Sequence, residues 1–284
     1  MSHVRSHPMM QFDRRALRAP SVAPYVDFLH RYLARELLDR LEFVHRTFDK
    51  GLVCGALSPA LRTLWDSANV SWIYATTAAL DCGNLVCDTA VPFRRSFPLA
   101  VSLNALHLVE KPVEALAELR GALVPDGLFL GAAAAGGTLG ELSDSLLRAE
   151  AELSGGAAMR VAPFADVRQW GDALARAGFA LPVSDEVSVV VRYDGLAALF
   201  ADLRGMRERG ALAHRVPAPR RLFERAEAIY RERHSDPDGR IRATFRFACL
   251  SGWAPDPSQQ KPARRGSATV SLAEALKTVE ERKE

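Results

Sequence analysis

Residues 51–59 read GLVCGALSP. Leu52, Val53 and Cys54 make a short apolar run, Gly55 breaks it, and Leu61, Leu64 and Trp65 follow at helical spacing. A short apolar strand, a glycine turn and a helix form the opening unit of a doubly wound α/β sheet. In such sheets this turn often cradles a cofactor, with several glycines and a nearby acid. Here Gly55 is followed by Leu57 and Pro59. A second register, Asp49-Lys50-Gly51, restores an acid and a glycine but puts the loop ahead of the apolar strand. Pro59 removes a backbone N–H, yet proline suits the first turn of a helix.

The same alternation continues outward. VSWIYA (70–75), NLVC (84–87), LAVSLN (99–104) and GLFLGAAA (127–134) read as strands, and PVEALAELRGAL (112–123) as a helix. Val124-Pro125-Asp126-Gly127 has turn chemistry. Strands that are apolar throughout, separated by helices, imply a parallel sheet covered on both faces. Thr138 and Glu141 have the spacing of a capping box for a helix reaching about Leu153. A further helix follows Phe164 and closes at Gly178. EVSVVVRY (186–193) and ATFRFACLSGWA (243–254) are late strands that suit an edge hairpin. Between them lie helices at 195–206 and 219–233, too long a span for a tight turn. The expected organisation is an N-terminal arm and helix (1–46), an α/β core (47–193), a helical insertion (194–242), a final strand (243–255) and a polar tail (256–284).

In 24–46, Val26, Leu29, Leu33, Leu37 and Leu41 form one apolar stripe. Arginines on the opposite face leave two readings open: a helix lying on a membrane surface, or one packed on the core. The chain has 284 residues, 48% hydrophobic and 25% charged, with a net charge of +3. That composition supports a sizeable core, and so small an excess of charge gives no reason to expect nucleic acid. Cys54, Cys82, Cys87 and Cys249 fit no zinc spacing and read as free buried thiols, so no metal is expected. No apolar run approaches the ~20 residues of a membrane span, and the N-terminus has no secretory pattern. The expected location is the cytoplasm.

Several stretches resemble the class I S-adenosylmethionine-dependent methyltransferases. Leu123–Leu130 is similar to the run before the family's fifth strand. Asn104–Val109 is similar to its L-H-W-V segment, and Asp88 with Val91-Pro92-Phe93 to its D-x-x-x-L-P-F segment. Residues 136–156, 162–183, 202–206 and 251–268, with Phe12-Asp13-Arg14-Arg15, resemble the branch that contains a mitochondrial complex I assembly factor. The resemblance implies a Rossmann-like, mostly parallel seven-stranded sheet with its last strand antiparallel. It also implies S-adenosylmethionine as cofactor and a protein or small-molecule acceptor, a respiratory-complex subunit among the candidates.

On that resemblance the cofactor contacts fall at Gly55, Ala56, Thr76, Asp88, Thr89, Ser102 and Asn104. After the second strand stand Thr76 and Thr77, where the family has a carboxylate for the ribose. Asp88 reads either as an adenine contact or as a turn aspartate. His107 reads as a base, a substrate contact or a packing residue. Arg160 and Arg204 are candidates for binding an anionic acceptor, or are structural arginines. Trp65, Trp72 and Trp170 read as core aromatics. Ser258-Gln259-Gln260 is a signature of the branch that would anchor the tail or meet a partner.

Overall fold

A computed structural model describes residues 24–55, 58–75, 91–156, 158–207, 212, 216–260 and 271. Helix α1 (Phe28–Glu42) leads into β1 (Lys50–Gly55), α2 (Pro59–Asp66), β2 (Ser71–Ala75) and β3 (Phe97–Leu103). Then come α3 (Pro112–Ala122), β4 (Leu123–Ala134), α4 (Gly140–Ser154), α5 (Val167–Arg176) and β5 (Ala180–Tyr193). The chain continues through α6 (Leu196–Gly205) and α7 (Arg220–His234) to β6 (Ile241–Trp253). The strand order is β2-β1-β3-β4-β6-β5. The first four pair in parallel, and β6 runs antiparallel to both β4 and β5. Six strands stand among the described residues, against the seven the resemblance implies; the candidate strand 84–87 lies outside them.

Side chains alternate across the sheet, as the strand period requires. Val53, Leu99, Val101 and Leu130 face a core shared with α1, α2, α4, α6 and α7. Leu52, Cys54, Ala100 and Phe129 face a second core, filled by α3 and α5. This two-sided burial explains why the strands carry few polar residues. Helix α1 buries Leu29, Leu33 and Leu37 in the first core, so its apolar face is covered by protein and the membrane-surface reading falls away. Cys54 and Cys249 are buried, and burial pushes the Cys249 thiol up to about 11.

Two local expectations are corrected. Val124–Gly127 does not precede the strand; it is taken up inside β4 as a register shift against β3, with Asp126 at φ 58°. Arg46 and Gln259 both reach that kink, and Gln259 Nε2 donates to Asp126 Oδ1 (2.8 Å) and to the Ala254 carbonyl (2.8 Å). Gln259 therefore anchors the start of the tail.

Thr138 and Glu141 do not form a capping box. Helix α4 starts at Gly140 after a left-handed Leu139, with no side-chain cap. Instead Thr138 Oγ1 donates to the Arg246 carbonyl (2.6 Å) and accepts from the Arg246 N–H (2.9 Å), while the Glu141 carboxylate accepts from Thr244. The cause lies in β6. Past Ala134, β4 no longer pairs with it, and its backbone groups at Thr244 and Arg246 need new partners. Residues 135–141 supply them. A capping box does form at the head of α5, between Asp166 and Gln169.

Candidate active site

The carboxyl ends of β1, β3 and β4 lie side by side, which is where a doubly wound sheet places its ligands. Gly55 ends β1 at φ 117°, paired with Leu103 of β3. A Cβ there would stand 2.1 Å from the Leu103 carbonyl oxygen. The fold itself therefore requires glycine, whatever the turn binds. Ser58 caps α2, accepting from the Leu61 N–H (3.1 Å), and Pro59 follows in the first turn.

Residues 24–27, just ahead of α1, meet this end of the sheet. Asp27 Oδ2 accepts from the Ser58 hydroxyl (2.8 Å), and Val26 N donates to the Gly205 carbonyl at the end of α6 (3.2 Å). His30, buried on α1, meets the Tyr25 hydroxyl through Nδ1 (3.1 Å) and Asn104 Nδ2 through Nε2 (3.2 Å). Tyr25 stacks on the same ring, with centroids 5.9 Å apart. Asn104 takes up φ 50°, and its N–H donates to the Ala132 carbonyl (2.8 Å). Ser102 is buried in β3 opposite Cys54.

His107 sits on the turn Leu106–Leu108, buried, with Nδ1 accepting from the Ala134 N–H (3.4 Å). Trp170 Nε1 donates to the carbonyl of the same residue (3.3 Å). These two rings fix the last residue of β4. His107 also meets Phe164 edge-on at 5.4 Å.

Phe164 lines a cavity of about 520 Å³ just beyond β4. Its floor is the turn Gly136–Gly140, one side is α4 through Leu146 and Leu147, and the other is the segment Ala158–Phe164. Arg160 lies in that wall. Its guanidinium pairs with Glu150 (2.7 Å) and donates to the carbonyls of Val216 (2.9 Å) and Pro217 (3.4 Å). Glu150 also accepts from the Ala158 N–H (2.9 Å), and the Arg160 hydrogen bonds hold its carboxyl below the usual value. Arg160 thus ties the wall to α4 and to the segment before α7.

Of the predicted residues, Gly55, Ser102, Asn104 and His107 come together at the strand ends, and Arg160 lines the cavity. Arg204 is exposed on the last turn of α6 and is not part of the cavity lining. Ala56, Thr76, Asp88 and Thr89 lie outside the described residues. Sequence reasoning missed Tyr25, Asp27, His30 and Glu150. One signal was available: His30 falls on the same helical face as Leu33, Ala34 and Leu37, where a polar side chain needs a buried partner. Among the described residues no group of three or more metal-ligating side chains occurs.

S-adenosylmethionine, which the fold implies, ends in an amino-acid zwitterion. The set Tyr25, Asp27, His30, Ser58 and Asn104 brings hydroxyl, carboxylate, imidazole and amide groups over β1 and β3, with Arg31 paired to Asp27 (3.3 Å). That chemistry fits the zwitterionic end.

No family model matches the chain. The mouse protein named arginine-hydroxylase NDUFAF5, mitochondrial, is 35% identical over 281 residues, covering 92% of this chain and 80% of that one. The malonyl-(acyl-carrier protein) O-methyltransferase of Halorhodospira halophila is 32% identical over 270 residues, 85% of each chain. Among solved structures, the YcgJ protein of Bacillus subtilis aligns with a TM-score of 0.52 at 12% identity, covering 78% of this chain and 99% of that one, a likeness of fold alone. The chain belongs to the family of the arginine-hydroxylase NDUFAF5, and it shares the Rossmann-like fold of a putative methyltransferase from Bacillus halodurans (TM-score 0.50 at 14% identity, covering 77% of this chain and 99% of that one).

Proposed function

We propose that this protein is an S-adenosylmethionine-dependent enzyme of the methyltransferase type, acting on a protein or small-molecule acceptor. The observation that carries the reading is the juxtaposition at the strand ends: the polar set over β1 and β3 stands next to the cavity beyond β4, with His107 and Phe164 between them. Asp27, His30 and Asn104 would hold the amino-acid end of the cofactor, with Thr76 and Asp88 as its candidate ribose and adenine contacts. When bound, the cofactor supplies a methyl group already activated on sulfur, so the protein has to position, desolvate and exclude water. The GLVCGALSP turn departs from the usual glycine-rich pattern, so contacts there are altered. Calorimetric titration with S-adenosylhomocysteine tests the reading. Saturable heat supports it, and no heat up to millimolar concentration overturns it.

The kinship with the mouse arginine-hydroxylase favours a second reading: a complex I assembly factor that hydroxylates or chaperones a subunit. On it, deleting the gene lowers complex I content or removes an arginine modification. Unchanged complex I and an unchanged arginine mass pattern would sink it. Either role is carried out in the cytoplasm on our reading, without nucleic acid; among the described residues no helix is long and apolar enough to cross a membrane.

A further inference from the structure

We infer that the cavity beyond β4 takes an uncharged aliphatic chain of the acceptor. This rests on the reading above that the cavity is the acceptor site, and it names the chemistry of what enters. Leu146, Leu147, Met159, Val161 and Phe164 make the walls, and no carboxylate is among the described lining residues. The charged group among the described lining residues, Arg160, is neutralised by Glu150, and four of its five N–H groups go to Glu150 and to the carbonyls of Val216 and Pro217. An incoming cation would find no counter-charge and would meet a guanidinium. An incoming anion would have to break a largely buried ion pair. Burying either charge without a partner is costly. Thr138 lines the cavity too, but its hydroxyl both donates to and accepts from the backbone of Arg246.

Gly140 points the same way. It opens helix α4, takes no left-handed conformation, and a Cβ built on it meets nothing within 4 Å. Neither backbone strain nor a described neighbour calls for glycine at this first helical position. What glycine does provide is space, because Gly140 lines the cavity.

The test uses the full chain and two probes followed by calorimetry: n-octanamide, uncharged and aliphatic, and N-acetylarginine amide, a cation. Octanamide is expected to bind saturably and N-acetylarginine amide not to displace it. Gly140→Leu, which fills the space, is expected to weaken octanamide at least tenfold with the melting temperature unchanged or raised. Leu147→Lys, at a partly exposed rim position, provides a second variant and is expected to weaken it as well. Displacement by the arginine probe overturns the inference, as does octanamide binding that neither variant alters. Titration of S-adenosylhomocysteine on the same samples keeps the two readings apart. Cofactor binding without octanamide binding refutes only the aliphatic acceptor; octanamide binding without cofactor binding refutes the transferase reading.

Discussion

Gly55 and Gly140 stand at corresponding places, each between the carboxyl end of a strand and the helix that follows. In the sequence Gly55 stands in the turn that often cradles a cofactor, while Gly140 draws no reading of its own. The structure explains the two differently. Gly55 is accounted for by the fold, since its positive φ and its approach to the Leu103 carbonyl exclude any other residue. Gly140 has no positive φ and no described neighbour within reach of a Cβ, and it borders the cavity. The surroundings differ in the same sense. Over β1 the polar groups of the arm and the loop hydrogen-bond to one another; beyond β4 the walls are apolar and enclose open volume. A glycine in a strand-to-helix turn thus reports on a ligand only when its own backbone does not already need it.

The comparison breaks most sharply at Gly55. Replacement by alanine places a methyl group against a backbone carbonyl that cannot move without disturbing β3. We expect Gly55→Ala to destabilise the protein by at least about 3 kcal/mol. Chemical denaturation reads this directly. A variant as stable as the parent, but weaker for S-adenosylhomocysteine, would return Gly55 to the role of a cofactor glycine.

Next in size is the clamp on the cavity wall. Arg160→Met leaves Glu150 buried beside apolar atoms and releases Val216 and Pro217. The expected loss is about 3 kcal/mol, together with weaker octanamide binding. Adding Glu150→Leu to the same chain removes the stranded carboxylate and should recover much of the stability but not the binding, because the wall still lacks its tether. Full recovery of binding in the double variant would mean that the wall stands without Arg160.

On the β1 side the corresponding probe is His30→Leu, close in volume and without hydrogen bonds. It deprives Tyr25 and Asn104 of a partner at a buried position, for an expected loss of about 1–3 kcal/mol. Cofactor affinity should fall while octanamide affinity holds. Equal loss of both would erase the distinction between the two regions.

Much of the fold was legible because burial on both faces leaves a plain trace: short apolar runs alternating with amphipathic helices. The strand at 99–104 and the helix at 112–123 could be read directly, as could the helical excursion before the last strand. What escaped depended on contacts far apart in sequence. His30 and Asn104 are 74 positions apart, and Arg160 and Val216 are 56 apart. The Thr138–Glu141 spacing suggested a local cap, but the unpaired backbone of β6, over a hundred residues away, claimed both side chains. The Pro125-Asp126-Gly127 turn was real as local chemistry. Its place inside a strand was set by pairing with β3, which no local pattern reveals. Arg160 was chosen for its charge alone, and only the structure shows that Glu150 answers it.

The smallest expected effect concerns the same ion pair and turns on pH. The hydrogen bonds from Arg160 hold the Glu150 carboxyl below the usual value, so the folded protein binds that proton less readily than the unfolded chain. The pair's contribution is therefore fully present above the unfolded carboxylate value of about 4.3. It fades as the pH falls through the lower folded value. Glu150→Gln cannot titrate and lacks that contribution at every pH. The difference in melting temperature between parent and variant should stay level from neutral pH down to about pH 5 and narrow towards about pH 3. A gap that held constant into acid would mean that Glu150 titrates alike in the folded and unfolded chains, so that Arg160 does nothing to stabilise its charge. The Arg160 guanidinium would then be open to an anionic acceptor in preference to an aliphatic one.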